Sequence, residues 1–202
     1  MTNASPLVQL TERQQRFYRR LLQSLGWQLQ GEVPNITHGL IITEPHQHNW
    51  DFPIGFIASR AFGLRSLWVG KQAMFRWPFG GLLRRMGGIA IDRKQPQGVA
   101  QQVSQQLLAK PLGTVAIAPS GTRGTPDYWK SGFYRIAQAA QVPIICTYID
   151  TAKKCIGLGL CLHPTGNVAA DMQRIRDFYR EQLGDLPIIH TMRLKEESQG
   201  FN

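Results

Sequence analysis

A chain of 202 residues with 43% apolar and 18% charged residues has the composition of one globular domain with a substantial core, which excludes a disordered or low-complexity protein. Its 23 Lys and Arg against 13 Asp and Glu give a net charge of +10, a balance that favours an anionic partner, either a phospholipid surface or a nucleic acid. No stretch approaches the roughly 20 apolar residues that span a bilayer, Met1–Leu10 lacks the basic-then-apolar layout of a signal peptide, and Cys146, Cys155 and Cys161 show no Cys-x-x-Cys spacing, as expected of free thiols in a reducing compartment.

In chain order, Thr11 to Gln30 reads as a helix. Thr11 caps it and Gln14 completes a capping box. Phe17, Leu21, Leu22, Leu25 and Trp27 form an apolar stripe beside Arg13, Arg16, Arg19 and Arg20, a layout shared by helices at a lipid interface and by helices packed on a core. Gly39–Thr43 is the first expected strand. A helix opens at Asp51, with Pro53 in its first turn, and runs to about Phe62. Ser66–Gly70 is a second strand, followed by Lys71 to Gly81 and a short basic helix that ends at Gly87-Gly88. Ile89–Ile91 is a third strand, closed by Asp92-Arg93-Lys94. The remainder reads as a helix over Gly98–Leu108, a strand over Gly113–Ala118, a helix over Ser131–Ala140, strands at Pro143–Tyr148 and Ile156–Leu162, a helix over Asp171–Leu183, and a frayed tail after Arg193. Strands alternating with helices predict a single α/β domain: a mixed, mostly parallel sheet flanked by helices, with an N-terminal amphipathic helix. The expected division is a basic amphipathic segment over 1–35, with membrane contact, the α/β domain over 36–195, and a flexible tail over 196–202.

Two polar loops each follow a buried strand, and in open α/β sheets ligands bind beyond the carboxyl ends of strands. The first is Pro45-His46-Gln47-His48-Asn49-Trp50-Asp51. An imidazole takes a proton near neutral pH when a carboxylate holds its other ring nitrogen as a donor. His46 and Asp51 fit that pairing. Two other readings stay open at this level: Asp51 only caps its helix and His46 is a surface residue, or His46, His48 and Asp51 form a metal site. The second loop, Pro119-Ser120-Gly121-Thr122-Arg123, has the makings of a phosphate cradle, with close backbone approach at Gly121, hydroxyl donors and a forked cation. It also reads as an ordinary turn. A hydrolase with Ser120 as nucleophile lacks the Gly-x-Ser-x-Gly elbow, since Ala118 stands at its first glycine.

Together and in order, these segments resemble the glycerophospholipid acyltransferase (1-acyl-glycerol-3-phosphate acyltransferase-like) family. Its His-x4-Asp motif matches His46 and Asp51. Its lysine and Pro-x-x-Gly segment match Lys71 and Pro78-Phe79-Gly80-Gly81. Its Gly-x-x-x-Asp-Arg block is similar to Gly88–Arg93, its Pro-Glu-Gly-Thr-Arg block to Pro119–Arg123, and its Val-Pro-Ile block to Val142-Pro143-Ile144. The resemblance spans about Leu40 to Asp150.

The resemblance implies an acyltransferase domain over 36–195 in which His46 deprotonates the acceptor hydroxyl and Asp51 orients His46. Lys71, Arg93 and Arg123 hold the acceptor phosphate, Ser120, Gly121 and Thr122 shape the loop, and Pro143 supports a pocket. The acyl donor is a co-substrate, acyl-CoA or acyl-carrier protein; no metal or other cofactor is implied. The chain departs from the family at Ser120, where the family has glutamate, and at His48, where it has a small hydroxyl residue. Arg60, Arg65, Arg76, Arg84 and Arg85, interleaved with Phe62, Trp68, Phe75, Trp77, Leu82 and Leu83, fit an anionic membrane surface, which predicts a peripheral protein on the cytoplasmic face. The rival readings are a non-catalytic lipid-binding homologue and a basic nucleic-acid module; no nucleic-acid motif accompanies the charge, so nucleic acid is not the expected partner.

Overall fold

The computed structural model describes residues 5–92, 98–121 and 126–198. Its centre is a seven-stranded sheet of order β1-β7-β6-β2-β5-β3-β4, built from β1 (Gln28–Gln30), β2 (His38–Glu44), β3 (Leu67–Lys71), β4 (Gly88–Ile91), β5 (Gly113–Ile117), β6 (Ile144–Asp150) and β7 (Cys155–Leu162). Only β7 against β6 is antiparallel; every other pair is parallel. The helices are α1 (Glu12–Ser24), α2 (Asp51–Ala61), α3 (Gly80–Arg85), α4 (Val99–Leu108), α5 (Gly132–Ala140) and α6 (Val168–Leu183).

Side chains alternate across a strand, so each strand of β2 and β5 feeds two layers. Leu40, Ile42 and Val115 face the larger core, with Val103 and Leu107 of α4, Phe133 and Ile136 of α5, and Met172 and Ile175 of α6. Ile41 and Ile145 face the other side with Phe62 and Leu64. There α2 presents Ile54, Ala58 and Ala61, and α1 covers it through Leu22. The stripe of α1 thus packs on protein at Leu22, while Phe17 and Leu25 stay exposed.

The capping box of α1 forms as expected: the Thr11 side chain accepts from Gln14 N, and the Gln14 side chain accepts from Thr11 N. The helix is shorter than its apolar spacing predicts. It ends at Ser24, Gly26 turns the chain at φ 80, and Gln28–Gln30 becomes β1, paired with β7. Residues 194–198 are more ordered than the frayed tail expected after Arg193, because Leu194 is buried and Glu197 pairs with Arg176 at 2.9 Å. Phe62, Trp68 and Phe75 belong to the interior and not to the basic aromatic face predicted for them. Trp68 stacks on Phe75 at 5.5 Å, and Phe75 fits because Gly88 has no side chain: a Cβ there would lie 2.5 Å from its ring.

The parallel strands β2, β5, β3 and β4 run in the same direction, so their carboxyl ends share one edge. The segments that follow them, beginning at Pro45, Ala118, Gln72 and Asp92, therefore emerge side by side. The two polar loops singled out in the sequence thus start from one edge.

Candidate active site

His46 and Asp51 are brought together. β2 ends at Glu44, the chain turns through His46–Trp50, and α2 begins at Asp51. His46 Nδ1 lies 3.5 Å from Asp51 Oδ2. That is long for a hydrogen bond and within the range of an ion pair. Asp51 does not cap α2 with its side chain; its carboxylate turns back on its own loop. Oδ2 accepts from Gln47 N and His48 N, both at 2.7 Å. Burial alone would raise the Asp51 pKa, but the bonds from His46, His48 and Gln47 outweigh it and hold this carboxyl below its ordinary value. Asp51 is therefore an anion facing the Nδ1 side of the imidazole, on the opposite side of the ring from Nε2.

Beneath this pair lies a largely apolar cavity of about 170 Å³ between the sheet and α2. His46, Asp51, Thr43 and Ala118 line one end; Phe52, Gly55, Phe56 and Ser59 of α2, with Ile41, Ala116 and Trp68, line its length; Leu64 and Ser66 lie at the other. The register pairs Ile41 with Ala116 and Ala116 with Trp68, so the cavity follows the strands downward from the His46 loop.

A second, wider cleft of about 840 Å³ opens on the same edge, lined by Lys71, Arg76, Arg84, Lys130, Asp92 and Gly121 among others. It collects Lys71 from the end of β3 and Gly121 from the turn after β5, as the sequence anticipated, and adds Arg76, Arg84 and Lys130. Arg93, Thr122 and Arg123, also expected here, lie outside the described residues.

Ser120 is 2% exposed and points to the protein interior. Its backbone N donates to Glu44 Oε1 at 2.8 Å, and its hydroxyl also bonds Glu44. This placement gives the hydrolase reading no exposed nucleophile. His48 is exposed and contributes its backbone N–H to Asp51. Among the described residues, no group of three His, Cys, Asp or Glu side chains is placed to hold a metal.

Sequence reasoning passed over Glu44. It is 0% exposed, at the end of an apolar strand, and accepts from His46 N at 2.9 Å as well as from Ser120. Burial raises its pKa most strongly, against the lowering effect of the Ser120 and His46 bonds. The available signal was a carboxylate at the last position of a buried strand, adjoining the His46 loop.

The sequence model of one family, Acyltransferase, matches residues 18–150, the span that contains β1 to β6, the His46–Asp51 pair, the lining of the wider cleft and most of the lining of the apolar cavity. The chain belongs to the acyltransferase family. It is 29% identical over 138 residues to the 1-acyl-sn-glycerol-3-phosphate acyltransferase of Streptococcus pneumoniae (strain ATCC BAA-255 / R6), an alignment covering 64% of this chain and 51% of that protein. The chain thus spans about half the length of that curated relative. Its fold is that of the crystal structure of the 1-acyl-sn-glycerophosphate (LPA) acyltransferase PlsC from Thermotoga maritima, with a TM-score of 0.56, 15% identity, and coverage of 86% of this chain and 76% of that one. In the acyltransferase fold seen here, the mixed sheet with its flanking helices and N-terminal α1 matches the architecture expected from the sequence.

Proposed function

We propose that this member of the acyltransferase family is an O-acyltransferase that moves a fatty acyl group from a thioester donor, acyl-CoA or acyl-carrier protein, to the hydroxyl of a lysophospholipid-like acceptor such as 1-acyl-glycerol-3-phosphate. One observation carries the reading. A carboxylate-paired imidazole stands at the mouth of an apolar cavity, with a cationic cleft on the same sheet edge.

In this reaction Asp51 holds Nδ1–H of His46, and Nε2 removes the acceptor's hydroxyl proton. The resulting oxygen attacks the thioester carbonyl carbon, the carbon–sulfur bond breaks, and the imidazolium returns the proton to the departing thiolate. Protons and charge balance without a cofactor or covalent enzyme intermediate. A base so placed contributes about 10²- to 10⁴-fold, and binding both substrates side by side supplies the orientation. The cavity takes the acyl chain. The cleft takes the acceptor phosphate on Lys71 and the Gly121 turn, with Arg93, Thr122 and Arg123 the further residues that the family resemblance assigns to it, while Ser120 faces Glu44 instead.

The acceptor is a lipid, so the protein docks at a membrane surface. Trp77 is 93% and Phe79 66% exposed, with Met74 and Leu82 also exposed, among Arg76, Arg84 and Arg85 beside the cleft. This arrangement supports shallow insertion between anionic headgroups. No helix among the described residues is long and apolar enough to cross a membrane.

The test is a transfer assay with acyl-CoA and acyl-carrier-protein donors of graded chain length and a panel of lyso-acceptors, reading thiol release and lipid product. The parent chain is expected to turn over a phosphorylated lyso-acceptor, and His46→Ala to lose turnover while keeping its thermal transition. Transfer that survives His46→Ala refutes the reading; a parent chain that binds lyso-lipid but never transfers makes it a lipid-binding homologue.

A further inference from the structure

We propose that Glu44 is a positioning residue of the transfer site, its buried carboxylate tying the loop of the catalytic histidine to the anion-binding turn after β5. The inference rests on the function proposed above.

Both oxygens of Glu44 are engaged, and with different loops. Oε2 accepts from His46 N at 2.9 Å, and Oε1 accepts from Ser120 N at 2.8 Å. Glu44 and Ser120 lie 76 positions apart in the chain, so the bond crosses from β2 to its neighbour β5. The His46 loop is thereby held from two sides. His46 N is fixed by Glu44, while Gln47 N and His48 N are fixed by Asp51. Three successive amides of the loop end on two carboxylates.

Burying a carboxylate is costly unless its oxygens are hydrogen-bonded, and here its fixed acceptors set the spacing between the base and the turn. Losing it leaves interior N–H groups without an acceptor, and both segments relax. The turn differs from the Pro-Glu-Gly-Thr-Arg block at one position, Ser120. Where the block has a carboxylate, position 120 has a buried hydroxyl that bonds the carboxylate of Glu44 on the adjoining strand. The structure therefore predicts that these two positions exchange their roles.

The experiment compares Glu44→Ala, Glu44→Gln, Ser120→Glu and the double variant Glu44→Ala/Ser120→Glu with the parent chain and His46→Ala in the transfer assay. Glu44→Ala is expected to lower kcat by about 10- to 100-fold, the scale of a slightly misplaced catalytic group, with little change in either KM. Glu44→Gln retains one oxygen acceptor and falls between. Ser120→Glu alone is impaired, because two carboxylates compete for one buried space. The double variant recovers most of the lost kcat, and hydrogen exchange at the amides of residues 46 and 120, fast in Glu44→Ala, slows again. If Glu44→Ala does not fold, Glu44→Gln and the double variant decide. A double variant no better than Glu44→Ala, or Glu44→Gln with parental kcat, overturns the proposal. Parental kcat in Glu44→Gln alongside an inactive His46→Ala sinks the role of Glu44 alone, whereas an active His46→Ala sinks the reading of the base.

Discussion

Replacing Asp51 with asparagine isolates the charge that faces the imidazole. The amide oxygen occupies the place of Oδ2 and still accepts from Gln47 N and His48 N, so the loop keeps its path; the negative charge beside His46 disappears. At the observed 3.5 Å, a carboxylate and an imidazolium attract by ~4.7 kcal/mol at an effective dielectric of about 20 and by ~1.2 kcal/mol in bulk water. His46 has 24% of its side chain exposed and Asp51 4%, which places the pair between these limits and nearer the first. Each ~1.36 kcal/mol is a factor of ten in rate. Asp51→Asn should therefore lower kcat by roughly tenfold to several thousandfold, because the imidazolium forms only as the hydroxyl is deprotonated. The KM values of donor and acceptor should stay close to those of the parent, since the charge pair is called on only in the proton-transfer step. Steady-state thiol release measured against both substrates gives the two parameters separately. A variant with kcat within about twofold of the parent, well short of the smallest rate loss expected here, would show that the carboxylate has no part in the reaction.

The same substitution has a signature in stability. The folded Asp51 carboxyl sits below its ordinary value, so its contribution is complete above the unfolded-state pKa, about 3.9, and is lost as pH falls through the lowered folded value; urea denaturation should show Asp51→Asn less stable than the parent at neutral pH, with the gap closing on acidification. Gly55 lies in α2 on the cavity wall, and a Cβ there meets nothing within 4 Å. Gly55→Ala should stabilise the helix by about 0.5–1 kcal/mol in thermal unfolding, while Gly55→Leu should raise KM for long-chain donors and move the preference toward shorter ones; an unchanged chain-length profile would place the acyl group elsewhere. Trp77→Ser/Phe79→Ser removes two exposed rings, so folding should be unaffected and co-sedimentation with phosphatidylglycerol vesicles should drop, with phosphatidylcholine vesicles as the uncharged control. Binding by the parent should weaken as salt shortens the Debye length from about 10 Å at 0.1 M to 3 Å at 1 M.

Most of this architecture was legible in the sequence where local chemistry and tertiary environment agree. Apolar runs such as Leu40–Ile42 and Ile144–Cys146 are buried strands, and Thr11 with Gln14 marks the start of α1 as expected. The departures arise where a contact distant in sequence decides the outcome. Gln28–Gln30 has no apolar periodicity and is a strand only because β7 offers it a backbone edge. Phe62, Trp68 and Phe75 stand among arginines in the sequence, yet all three turn inward, Trp68 and Phe75 because Gly70 and Gly88 leave room for their rings. For the site, the spacing of His46 and Asp51 was enough to nominate the pair, and the structure places them together. Glu44 escaped notice because its partner Ser120 is far along the chain, and only the register of β2 against β5 makes them neighbours.

Helix α2 both begins with the acid behind His46 and forms the roof over the apolar cavity through Phe52, Gly55, Phe56 and Ser59. With the acyl chain in this cavity, as proposed above, a hydrocarbon that is too bulky would push on the very element that carries the partner of the imidazole. Tail fit and turnover would then be mechanically joined, and an engineer who widens this space to admit a new fatty acid should expect to retune the chemistry as well.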